Sequence, residues 1–283
     1  MSEPVRVACV QVTSTPDMAA NIDIACTFVR AAAADGAKLV LLPENATLLA
    51  GGNAIRETAP EPGGHPARKA FAEVARETGV WLLAGSLAEK ASDGRLANRS
   101  LLFDADGATA AEFDKIHMFD VTLDDGESYH ESKSYRPGDR AVVAETPWGP
   151  LGMTVCYDMR FPGLYRDLAQ AGAVMLSVPS AFTVPTGRAH WHVLLRARAI
   201  ETGCFVFAPA QCGTHYGKRR TYGHSLIIDP WGEILAEAGE EPGVITADID
   251  LGAVEAARSK VPSLSHDRDY APPRPIAAAK AAE

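Results

Sequence analysis

The chain of 283 residues has no apolar stretch approaching the 18 or more residues that a membrane-spanning helix requires. Its opening, "MSEPVRVACVQV", lacks the basic segment and small-residue cleavage site of a secretory signal, so a cytoplasmic location is expected. Positive charge is also short. Lys and Arg number 27 against 36 Asp and Glu, a net charge of −9, which leaves no basic footprint for nucleic acid or for an anionic membrane surface. The five cysteines, Cys9, Cys26, Cys156, Cys204 and Cys212, are odd in number and have no C-x-x-C spacing, which fits reduced thiols. The one close histidine pair, His190 and His192, is two residues apart, and helix positions i and i+2 do not face each other, so no metal site is expected. Neither an internal repeat nor a Ser/Gly/Pro-rich linker interrupts residues 5–265. One domain is therefore expected over residues 1–270, followed by a flexible or partner-packed tail, residues 271–283.

What the chain does have is a regular alternation of apolar runs and helical stretches. "VRVACVQV" alternates like a strand, "DMAANIDIACTFVRAAAADG" is an amphipathic helix closed by Gly36, and "KLVLLPE" is a second strand. "HPARKAFAEVARETG" carries Pro in its first turn and a terminal Gly, and feeds the apolar run "VWLLAGSLAE". The opening is thus β-α-β-α-β. Hairpins follow around Asp106-Gly107, Trp148-Gly149 and Pro230-Trp231-Gly232. "FPGLYRDLAQAG" and "AHWHVLLRARAIETG" read as helices, "AVMLSVPSAF" and "CFVFAPAQCG" as buried strands, and a last helix is expected from about Leu251 to Ser259. Buried strands alternating with helices need cover on both faces, and the hairpins make the sheets mixed, which predicts a layered α/β fold.

Three residues in this pattern carry chemical interest. Glu44 stands where the apolar strand "LVLL" ends. An acid there is either a rim salt bridge or a desolvated carboxylate whose pKa rises until it takes a proton near neutral pH. Cys156, in "LGMTVCYDMRFPGLYR", follows an apolar strand and precedes a Pro-containing helix start. It is either a small core residue or a nucleophile beside backbone N–H groups. Lys115 is either a solvated strand-end charge or, if it faces Glu44 and Cys156, a cation that stabilises an oxyanion and lowers the thiol pKa.

The stretches "LLPEN", "DKIHMFDV", "YHESKSYRPGD", "CYDMRFPGLYR", "PSAFTVPTGRAHWHVLLRARAIE", "AQCG" and "YGHSLIIDPWGEIL" resemble, in order and approximate spacing, those of the nitrilase, or carbon–nitrogen hydrolase, superfamily, and most closely its Nit-type amidases. The resemblance covers about Val5 to Tyr270. It implies a four-layer α-β-β-α sandwich, usually paired into dimers or higher homo-oligomers, and neither a metal nor an organic cofactor. It also implies roles: Glu44 as general base, Lys115 as oxyanion stabiliser, Cys156 as nucleophile, and Glu131 as a second glutamate orienting the lysine and the substrate. Tyr157, through its backbone N–H, Arg160 and Thr183 are candidate substrate-binding residues. Arg160 and the basic loop "THYGKRRTYGHS", with His215, Lys218, Arg219, Arg220 and His224, are candidate linings for a carboxylate-bearing substrate.

Within the Nit-type group, "SAFTVPTGRAHW", "RARAIE" and "AQCG" look more like deaminated glutathione amidases than omega-amidases. Hydrolysis of the amide between a 2-oxoglutarate unit and cysteinylglycine is the activity this implies. The alternatives are omega-amidase action on 2-oxoglutaramate, N-carbamoyl or nitrile hydrolysis, and a non-catalytic scaffold of the same fold. Two departures bear on substrate choice: close relatives commonly read "HWE" where this chain has His192, and "RFPEL" where it has Gly163.

Overall fold

The computed structural model describes residues 3–122 and 128–272. The tail expected from residue 271 therefore lies almost wholly outside the described residues. Two mixed sheets form the centre. The first has seven strands, running Gly243–Ile249, Val5–Gln11, Leu39–Leu41, Trp81–Leu83, Leu96–Phe103 and Leu87–Lys90, with Thr109–Asp114 also paired to Leu96–Phe103. The second has six, in the order Ile234–Glu237, Leu226–Ile228, Phe205–Ala208, Met175–Ser177, Leu151–Met153 and Val142–Ala144. Three central strands of each sheet are parallel, and the rest join antiparallel, including all three expected hairpins.

Strand alternation sorts the side chains into layers, because successive residues point to opposite faces. In the first sheet Val5, Val7, Cys9, Leu39 and Leu41 join one core with Met153, Met175, Phe205 and Ile227 of the second sheet. Their neighbours Ala8, Val10, Val40 and Leu42 face a different core, built with Ile22, Ala25 and Val29 of the helix Met18–Ala34 and Phe71 and Val74 of the helix Pro66–Thr78. Tyr165 and Leu168 from Pro162–Gln170, with Trp191, Leu195 and Ala199 from Val184–Thr202, cover the second sheet. The order is α-β-β-α.

Local details depart from the sequence reading. "VWLLAGSLAE" breaks at Gly85, which has φ +68° and packs so closely that a Cβ there would lie 2.0 Å from the Pro43 carbonyl oxygen. "CFVFAPAQCG" gives one sheet strand, after which Cys212–Thr214 turns away to pair with Arg220–Tyr222. The long helix starts at Val184, five residues before the expected "AHW", because Thr183 caps it and accepts a hydrogen bond from the Thr186 N–H. A short helix, Gly52–Thr58, was not foreseen.

Candidate active site

Four chain segments deliver the candidate residues to the ends of the two sheets. Glu44 lies three residues beyond the strand Leu39–Leu41, buried, and Gln211 Nε2 holds the turn by donating to the Glu44 and Asn45 carbonyls at 3.0 and 3.2 Å. Lys115 directly follows the strand Thr109–Asp114, and Glu131 opens a 3-10 turn. Cys156 opens another, Cys156–Arg160, after the strand Leu151–Met153, with its own N–H donating to the Pro179 carbonyl at 2.9 Å. Its φ of +51° is rare for a residue with a Cβ and costs energy that the surroundings must hold. Asp158 does part of this: its buried carboxylate accepts from the Val155 N–H, the His117 N–H and His117 Nδ1–H at 2.9, 2.9 and 2.7 Å. The turn bearing Cys156 is thereby latched to the loop that follows Lys115.

The cluster itself is tight. Lys115 Nζ, 2 % exposed, donates to Glu44 Oε1 at 3.0 Å and to both oxygens of Glu131 at 3.0 and 2.8 Å. Asn98 Nδ2 donates to Glu44 Oε1 at 2.9 Å, the Ala181 N–H to Glu44 Oε2 at 3.0 Å, and the Phe119 N–H to Glu131 Oε2 at 2.7 Å. Cys156 lines the same cavity as Glu44, Lys115 and Glu131. Asn98 was absent from the sequence reading, and its signal was an amide inside an otherwise apolar strand, "LANRSLLF".

One electrostatic expectation is reversed and another is outweighed. Burial acts to raise the Glu44 pKa, but the Lys115 ammonium and the hydrogen bonds from Lys115 and Asn98 bring it below the ordinary carboxylate value. Lys115 does favour the thiolate, yet burial and then the Glu44 charge outweigh it and push the Cys156 thiol well up. Lys115, although buried, is held well above its usual pKa by Glu131, Glu44 and Cys156. The resting site thus holds a neutral thiol against a carboxylate, with an ammonium bridging Glu44 and Glu131. Such a set can move a proton from sulfur to Glu44 and present a fixed cation to a developing oxyanion.

A cavity of about 270 Å³ opens onto these groups, lined by Glu44, Lys115, Glu131 and Cys156, and also by Tyr157, Thr183, His130 and Arg219. No protein acceptor takes the Tyr157 N–H among the described residues, so it is available beside Cys156. Arg160 is not among the lining residues. Its guanidinium lies over the rings of Tyr157 and Phe182, at 5.8 and 5.5 Å, and touches His190 Nδ1 at 3.3 Å, while the nearby Asp158 is taken by His117. The basic loop divides. Arg219 faces the cavity, anchored on the Tyr129 hydroxyl at 2.6 Å and the Ala181 carbonyl at 2.9 Å; Lys218 and Arg220 are exposed, and His215 is buried against Ser14 and Thr221. His192 and Gly163 do not line the cavity, and a side chain at 163 would meet open space, so neither departure touches the pocket.

A buried thiol, a carboxylate and an ammonium thus meet at the ends of the two sheets of an α-β-β-α sandwich. The family model for carbon–nitrogen hydrolases matches residues 6–259, and the chain belongs to that family. It is 44% identical over 236 residues to deaminated glutathione amidase of Yersinia enterocolitica, covering 82% of each protein. It is 44% identical over 267 residues to deaminated glutathione amidase of Homo sapiens, covering 93% of this chain and 82% of that one. Saccharomyces cerevisiae Nit3, a member of branch 10 of the nitrilase superfamily, superposes with a TM-score of 0.84 at 32% identity, over 93% of this chain and 96% of that structure. The chain is a carbon–nitrogen hydrolase with the nitrilase fold.

Proposed function

We propose that this hydrolase cleaves deaminated glutathione to 2-oxoglutarate and cysteinylglycine through a cysteine thioester. The observation that carries the reading is that Cys156, Glu44 and Lys115 line one cavity that also presents Arg219. Glu44 takes the thiol proton as sulfur attacks the amide carbon. The oxyanion that forms is held by Lys115 Nζ and the Tyr157 N–H. Collapse breaks the C–N bond, and Glu44 returns the proton to the leaving amine of cysteinylglycine. Water then enters, loses a proton to Glu44 and attacks the thioester; the carbonyl is restored with release of 2-oxoglutarate, and the proton goes back to sulfur. Glu131 holds the lysine throughout, and Asn98 holds both carboxylates.

Charge supports the substrate choice. A net charge of −9 does not attract an anion, but fields of exposed charges fade over roughly 8 Å at physiological salt, so a lining cation decides locally. Arg219 is the lining arginine, and Thr183 and His130 add polar groups for a substrate carboxylate. Arg160 stands behind Tyr157 and Phe182 and stiffens that wall. Removing the by-product of a transaminase side reaction makes this a metabolite-repair enzyme of the cytoplasm, one domain over residues 1–270.

The test compares kcat/KM on deaminated glutathione and on 2-oxoglutaramate, reading 2-oxoglutarate from both, with Cys156→Ala as blank. A large preference for deaminated glutathione is expected. Preference for 2-oxoglutaramate would make the enzyme an omega-amidase, and silence on both would remove the substrate assignment.

A further inference from the structure

His190 and His192 part company in the fold, as their spacing requires. His190 meets Arg160, while His192 turns to the opposite flank and meets two residues remote in sequence. His192 Nε2 lies 2.9 Å from Glu237 Oε1, and His224 Nδ1 lies 3.0 Å from the same oxygen. The three ligand-type atoms all fall within 4.8 Å of one another. They come from a helix, a loop and a strand end, and play no part in the cavity.

We propose that His192, His224 and Glu237 form a binding site for a zinc-type transition-metal ion. The donor set of two imidazole nitrogens and one carboxylate oxygen suits Zn²⁺, and not Ca²⁺ or Mg²⁺, which take oxygen cages. Bonds of about 2.1 Å in a tetrahedron separate ligand atoms by about 3.4 Å, so the present 2.9 and 3.0 Å spacings need to open by only about half an ångström. Water completes the fourth position. In the metal-free form two ring N–H groups converge on one oxygen. Neither His192 Nδ1 nor His224 Nε2 has a protein partner among the described residues, so each ring can shift its proton outward and turn a lone pair to the metal.

The surroundings hold the trio in place. Trp191, fully buried beside His192, donates its indole N–H to the His224 carbonyl at 2.7 Å, which ties the helix to the loop at the point where both imidazoles emerge. His224 itself has φ +56°, its N–H donates to the Gly239 carbonyl at 3.0 Å, and Tyr222 stacks on its ring at 4.3 Å. A bound ion would therefore staple the helix Val184–Thr202 to the strand Ile234–Glu237 and to the loop that follows the strand Arg220–Tyr222. The site is independent of which amide the enzyme cleaves.

Zinc also binds thiolates, so the test uses the full-length Cys156→Ala protein. Equilibrium dialysis against ZnCl₂ with metal quantification should give a single saturable site. His192→Gln and Glu237→Gln should each weaken it by about tenfold or more. Co²⁺ should show the ligand-field absorption of a tetrahedral N/O site, lost in both variants, and Zn²⁺ should raise Tm in the parent but not in them. His192→Gln in the otherwise intact enzyme should retain metal-free activity, which shows that it folds. Absence of binding, or equal binding in parent and both variants, would overturn the site, the latter assigning zinc to other surface histidines.

Discussion

Lys115 is a cation nearly sealed from water, and its survival there depends on the carboxylates of Glu44 and Glu131 at 2.8–3.0 Å. In the proposed mechanism its removal strips the oxyanion of a donor, and it leaves two carboxylates packed together without a counter-charge. Lys115→Ala is therefore expected to lower kcat by about a hundred- to a thousandfold, about 3–4 kcal/mol of transition-state stabilisation. It should also reduce folding stability by about 3–5 kcal/mol, since breaking a buried ion pair strands the remaining charge. Steady-state kinetics and urea unfolding on the same preparation check both. At this scale the residue types were legible: Glu44, Lys115, Glu131 and Cys156 all line one cavity. Their pKa directions were not, because Glu44 and Cys156 respond to each other and to Lys115 across 41 to 112 residues of sequence, and only the folded distances settle whether burial or charge wins.

At the scale of elements, the loop between Cys212–Thr214 and Arg220–Tyr222 carries Arg219 to the cavity, and His215 fastens it to the body. His215 Nδ1–H donates to the Ser14 carbonyl and Nε2 meets the Thr221 hydroxyl, both at 2.7 Å; in the neutral ring Nε2 accepts from that hydroxyl. Burial, against the favourable Ser14 contact, lowers its pKa from 6.5 to about 4. A depressed basic pKa means that between about pH 6.5 and 4 the unfolded chain binds a proton the folded chain does not, so stability falls as pH drops through that window. His65, also lowered to about 4 by burial, adds an effect of the same sign. His215→Gln should cut the slope of unfolding free energy against pH by up to one proton, about 1.4 kcal/mol per pH unit, in that window. Urea titrations at several pH values read this slope, and an unchanged one would mean that the fold tolerates a charged His215. The basic loop looked like a single feature in the sequence; packing divides it into one cavity-facing arginine, one buried histidine and exposed charges, because the side chains of Arg219 and His215 find partners on distant segments and, among the described residues, those of Lys218 and Arg220 do not.

On the whole molecule, Val193 and Ile200, seven residues apart on one helix, are 69% and 55% exposed, and Trp231 and Val261, which share a groove with Ile200, are 52% and 57% exposed. Trp231, Ile200 and Val261 border one apolar groove. The family resemblance implies a dimer or larger assembly, and this face is the one expected to be covered in it. Light scattering should find such an assembly in the wild type, and Ile200→Asp should shift it to monomer, while a wild-type monomer would overturn the expectation.

Alternation in "VRVACVQV" and "LVLL", Pro and Gly at helix ends, and turn dipeptides determine the strands, helices and hairpins, since these signals act over a few residues. The ordered stretches from "LLPEN" to "DPWGEIL" determine the family and the candidate catalytic residues. Tertiary structure alone decides which face of each sheet meets the other, that Arg219 and not Arg160 lines the cavity, that Asn98 braces both glutamates, and that His192 finds His224 and Glu237. These are contacts between residues far apart in the chain. Local propensity carries no record of them, because each depends on where two separately formed elements come to rest against one core.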